Sequence, residues 1–120
     1  MAVSARDKKA LLTLLKQAQL VYLLTRFPKK QLLDDPEDVA RLEAGLAAMR
    51  AAARDLSAAL RAKHTAVQWD ELAATPDSPD LLWRRAKRVG PQALRAATAA
   101  RGRARGRLHA RSERRGGGEG

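Results

Sequence analysis

The chain has 120 residues, with 24 basic against 13 acidic side chains and no cysteine. That length supports one folded domain with a modest core. The missing cysteines exclude disulfide staples, thiolate chemistry and thiolate metal sites. His64 and His109 are the only histidines and lie far apart in sequence, so no metal or cofactor site is expected.

Isoleucine and asparagine are also absent, while alanine and leucine dominate. Low β-branched and aromatic content disfavours sheets, so the expected fold is all-α. The charge is uneven. Residues 101–120 hold seven arginines and two glutamates, a net +5, and residues 1–100 hold the remaining +6. This describes a body of modest charge with a basic tail. Near the N-terminus, Arg6, Lys8 and Lys9 precede an apolar stretch, as in a signal peptide. Lys16, Gln17 and Gln19 interrupt that stretch and no small-residue cleavage site follows. It is too short and too polar to span a membrane. A cytoplasmic protein with no membrane partner is expected.

The first helix is predicted from Ala5 to about Phe27. Ser4 supplies an N-cap and Asp7 favours the first turn. Leu11, Leu14, Leu15, Ala18, Val21 and Tyr22 recur at helical spacing, and Leu12, Leu20, Leu23 and Leu24 widen that face. Pro28 ends the helix. The second helix, from about Pro36 to Arg61, has the clearest pattern. Asp35 is a good N-cap, Pro36 suits the first helical position, and Glu37 and Asp38 complement the dipole. Val39, Leu42, Leu46, Met49, Ala53, Leu56 and Leu60 then alternate spacings of three and four, a strict heptad seam. The seam serves helix packing within the chain, a dimer contact, or both. Arg50, Arg54 and Arg61 lie in a narrow arc beside it, either as a solvated edge or as a surface for a nucleic acid or an acidic partner.

After a connector containing His64, the residues Val67, Trp69 and Leu72 predict a short helical turn. Thr75-Pro76-Asp77-Ser78-Pro79 is a loop by composition. Ser78 and Pro79 start a further helix that carries Leu81, Leu82, Trp83, Ala86 and Val89, and Gly90-Pro91 is predicted to break it. A last helical piece with Leu94, Ala97 and Ala100 ends near Arg101. From Gly102 on, glycine and arginine alternate without apolar periodicity, so residues 102–120 are expected to be disordered. The organisation is a helical domain over 1–101, an up-and-down bundle of four to five helices, with an Arg/Gly-rich tail over 102–120.

The run DDPEDVARLEAGLAAMRAAARDLSAALRAKHTAVQWDELA, residues 34–73, resembles the HepT-like proteins of the HEPN superfamily. The landmarks are Leu56, Leu60, Arg61, His64, Val67, Trp69, Glu71, Leu72 and Ala73, followed by Leu82-Trp83 and Val89-Gly90-Pro91. The resemblance spans roughly residues 5–100 and implies a helical bundle, commonly dimeric, paired with a small nucleotidyltransferase in a toxin–antitoxin system. It also implies an RNA-cleaving arginine–histidine motif directly after the tryptophan segment. There the arginine stabilises phosphate charge and the histidine moves a proton. This chain departs from that pattern. Ala74 to Pro79 contain neither arginine nor histidine, and Ala47, Arg50 and Ala51 stand where the family often carries acidic residues. Arg103 and His109 have the motif's spacing, but an active site needs its groups held rigidly and a glycine-broken tail offers no such support.

No catalytic residue is therefore assigned. The expectation is a degenerate HepT-like protein with a binding or regulatory role, without nuclease activity and forming a homodimer. Two alternatives stand beside it. One is a nucleic-acid-binding protein that takes RNA or DNA without sequence preference through Arg101, Arg103, Arg105, Arg107, Arg111, Arg114 and Arg115. The other is an active HEPN endoribonuclease.

Overall fold

The computed structural model describes residues 4–116, with side chains through Arg101. Among them are six helices and no strand: α1 (Ala5–Leu24), α2 (Lys29–Leu33), α3 (Pro36–Asp55), α4 (Ala58–Lys63), α5 (Trp69–Ala73) and α6 (Pro79–Gly116). The fold is an all-α bundle. No helix among the described residues is long and apolar enough to cross a membrane.

Helix α1 is central. Its buried face, Ala10, Leu11, Leu14, Ala18, Val21 and Leu24, follows the predicted periodicity. Both α3 and α6 pack against it in antiparallel fashion. The Asp55 and Ser57 end of α3 meets Arg6 and Asp7, while Gly45 meets Val21. Lys87 of α6 reaches the carbonyl of Thr25, and Gly90 lies against Val21 and Tyr22. Val21 is thus clasped between two glycines. A Cβ at Gly45 would come within 2.8 Å of Val21 Cγ2, and one at Gly90 within 3.1 Å of Cγ1. Missing side chains at these two positions let three helices approach one another at the middle of the bundle.

All seven seam residues are used inside the chain. Leu42, Leu46, Met49, Ala53, Leu56 and Leu60 are buried in the core, and Val39 packs half-buried against it. The seam is not carried by one helix, however. α3 ends at Asp55 rather than Arg61, because Leu56 and Ser57 are extended and Ser57 caps a separate α4. A long-range contact explains the break. The Asp7 carboxylate accepts from Ser57 N at 2.7 Å and from Ser57 Oγ at 2.9 Å, while Ser57 Oγ accepts from Leu60 N. Asp7 itself lies in the first turn of α1, where Ser4 Oγ accepts from its amide. One buried carboxylate therefore faces the positive ends of two helices.

Other boundaries also move. α1 stops at Leu24 rather than Phe27, because Thr25 Oγ1 turns back to donate to the carbonyls of Val21 and Tyr22. Pro28 does not merely end a helix. It precedes α2, whose Leu32 is buried in the core. The largest correction concerns Gly90-Pro91, which does not break the last helix: α6 runs straight through both. Ala86, Val89, Ala93, Ala97 and Ala100 bury one continuous face on either side. Pro91 sits on the opposite face, in register with Arg84 and Arg88. There the carbonyl it leaves without an amide donor faces water. Helical backbone continues past Arg101, the expected end, to Gly116.

Candidate functional site

Two places concentrate polar chemistry. The first is a cleft of about 360 Å³ between α3 and the loop that leads into α6. Ala47 and Arg50 form one wall, and Thr75, Pro76, Asp77 and Ser78 form the other. The fold thus brings together the two segments in which the sequence departs from the HepT-like pattern.

Arg50 is the central group there, and its bonds are structural. Its Nε donates to the carbonyl of Leu72 at 3.0 Å, and its Nη2 makes a longer contact of 3.4 Å with that of Ala74. Arg85 Nη1 donates to the same Ala74 carbonyl at 2.7 Å. Two guanidiniums hold the exit of α5 in place, and Arg50 forms no ion pair among the described residues. Burial, followed by the charges of Arg54 and Arg85, pushes its pKa below the usual arginine value. No histidine lines the cleft. His64 is the C-cap of α4, where its carbonyl and that of Arg61 accept from Trp69 Nε1. The arrangement can hold a loop or attract an anion. It sets no proton-transferring pair around a common point.

The predicted arginine arc divides. Arg50 is half-buried and bonded to backbone, Arg54 is exposed, and Arg61 is half-buried with a buried Nε that lacks a hydrogen-bond partner. The seam residues proposed as a dimer contact lie in the chain's own core.

The second place is α6 as a whole. This one helix carries twelve of the 24 basic side chains and two of the 13 acidic ones. It accounts for +10 of the chain's net +11. Sequence reasoning divided this charge at Arg101 and so credited the body with part of it. In the packed half, four cations are engaged. Arg84 pairs with Asp80 and Arg88 with Glu71, Lys87 Nζ donates to the carbonyl of Thr25, and Arg85 bonds to that of Ala74. Lys87 and Lys29 also flank the Trp83 ring, at 5.7 and 5.8 Å from its centroid. Arg95 and Arg101 make no ion pair among the described residues. Beyond them the helical backbone carries Arg103, Arg105, Arg107, Arg111, Arg114 and Arg115 against Glu113 alone. The side chains of these six arginines, and of His109, lie outside the described residues. The chain matches no family model, no curated protein and no solved structure.

Proposed function

We propose that the protein is a non-catalytic binding module whose partner is the phosphate backbone of a nucleic acid, taken along α6. The observation that supports this is the placement of +10 of a net +11 on a single helix. Outside α6 the chain carries 12 basic and 11 acidic side chains, a net +1, so the excess is local. Arginines spaced along a helix neutralise phosphates and release condensed counterions, which gives affinity with little sequence preference.

The test is truncation after Arg101. Among the described residues the buried core ends at Ala100, so the shortened chain keeps all of that core and is expected to melt at an unchanged temperature. Removing six arginines should reduce the slope of log K against log salt by about 5 and lower low-salt affinity at least ~100-fold. Equal affinity of both forms, measured by fluorescence anisotropy, would rule out the proposal.

HepT-like descent is a second proposal, favoured by one feature: Ala47, Arg50 and the shortened 74–79 loop line a common cleft. A homodimer or a nucleotidyltransferase partner would then have to use surface other than the seam. Leu20, Tyr22, Leu23 and Phe27, exposed at and just beyond the C-terminal end of α1, form the densest group of exposed large apolar residues among those described. Light scattering at tens of micromolar tests the dimer, and a monomer at that concentration removes it.

A further inference from the structure

The bundle end from which α6 departs has an unusual charge arrangement. Taking Lys87 opposite Thr25 and Gly90 opposite Tyr22, equal rise in two antiparallel helices puts Lys8 level with about residue 104 and Ser4 level with about residue 108. Residues 102–108 of α6 therefore run alongside the first turns of α1, and about eight more extend beyond them, roughly 12 Å. Those first turns carry Arg6, Lys8 and Lys9, all exposed. The two nearby carboxylates are both occupied: Asp7 accepts from Ser57, and Asp55 pairs with Arg6 at 3.1 Å. Lys8 and Lys9 form no ion pair among the described residues. They also sit at the positive end of the α1 dipole, where cations cost stability rather than add to it. Two unpaired lysines thus stand at the disfavoured end of one helix, level with the most cationic stretch of another, Lys8 on the flank toward α6 and Lys9 about 100° further round α1.

We infer that the partner is duplex DNA, held by the basic half of α6 in the major groove while Lys8 and Lys9 contact phosphates at the groove's rim; this rests on the nucleic-acid role of α6 proposed above. Three features favour a B-form duplex. Trp83 is the only Trp, Tyr or Phe of α6 and is packed against the core, so the helix lacks the row of such rings on which successive bases of a single strand stack. A helix about 10–12 Å across fits the ~12 Å major groove of B-DNA. The deep, narrow major groove of A-form RNA excludes it. The lysines at the base of the projecting helix give the second row of positive charge that a groove bounded by two phosphate strands calls for.

The experiment uses the full-length chain and its Lys8→Gln/Lys9→Gln variant, titrated with a 20-base-pair DNA duplex, the same sequence as duplex RNA, and single-stranded RNA, over a range of salt. The expected result is tightest binding to duplex DNA. The double variant should bind it about tenfold more weakly, with a salt slope shallower by about 2 and a melting temperature that does not fall. An unchanged slope in the variant would remove α1 from the interface and overturn this inference while leaving the role of α6 standing. Equal or tighter binding of either RNA would overturn the assignment to DNA. No binding of any nucleic acid by the unmodified chain would sink both proposals together.

Discussion

Helices α3 and α6 hold equivalent places in the bundle and do opposite things with their surfaces. Each packs antiparallel on α1, and each brings a glycine against Val21. Yet α3 carries four acidic and three basic side chains, whereas α6 carries two and twelve. On α3 much of the charge closes locally: Arg41 pairs with Glu37 and Asp38, and Asp55 with Arg6. On α6 such pairing stops after Arg88 among the described residues. Packing on α1 therefore does not demand a basic helix, since α3 packs equally well without one. On the proposed nucleic-acid role, the charge of α6 answers to something outside the fold. This difference makes α3 a structural helix and α6 a surface-presenting one, and each assignment can be broken by experiment.

The largest expected effect is on the α3 side. Leu46 is 1% exposed, in the same turn as the Gly45–Val21 contact. Leu46→Ala removes buried apolar volume at a place where three helices meet, so the cavity cannot collapse easily. The expected loss is about 3 kcal/mol of stability, read from urea denaturation, with the affinity of the folded fraction for nucleic acid unchanged. A large loss of affinity in protein that remains folded would break the division of labour.

A smaller loss is expected where α3 is anchored. Asp7→Ala leaves the Ser57 amide without its acceptor next to two helix termini, at a cost of about 2 kcal/mol. Amide exchange should rise first at Ser57 and Leu60, the donors tied to this contact. Asp7→Asn keeps an acceptor for the Ser57 amide and should lose less. If the two variants lose the same, the carboxylate's charge rather than its hydrogen bonding holds the α3–α4 joint.

The same comparison explains what was legible in the sequence. The positions of the core residues of α1 and α3 follow from helical period, which is local. Leu14, Val21, Leu42, Leu46 and Met49 are fully buried as that period requires. The break at Leu56 was not legible, because its cause is Asp7, fifty residues away. Ser57 followed by two alanines and Leu60 was the available cap signal, but the unbroken seam concealed it. Gly90-Pro91 failed as a predictor for a related reason. Local propensity treats the pair as a breaker, whereas in the fold Gly90 makes room for Val21 and Pro91 faces outward. With the helix placed as two pieces, its charge could not be seen as one unit, and the most informative feature of the surface was divided between body and tail. The cleft was legible only in part. Arg50 was singled out, but its carbonyl partners Leu72 and Ala74 lie across a loop whose path the sequence leaves open.

The smallest predicted effect has the opposite sign and sharpens the contrast between the two helices. α3 has its proline at the first helical position, where no amide is missed, and α6 has Pro91 in its interior. Pro91 denies the Lys87 carbonyl its i+4 donor, a defect that packing on the opposite face outweighs. Pro91→Ala restores that donor and adds no bulk toward Val21, so stability should rise by about 1 kcal/mol, less than the full helix-interior penalty because neighbouring residues are already fixed by packing. Thermal melting measures it. An unchanged or lower melting temperature would mean that the backbone at Lys87 is adapted to the proline, so that α6 is built around a fixed bend before its basic half begins. A higher one means that α6 tolerates a defect on its solvent side because the alanine-rich face beneath it suffices, which leaves that solvent side unconstrained by folding and available to carry charge.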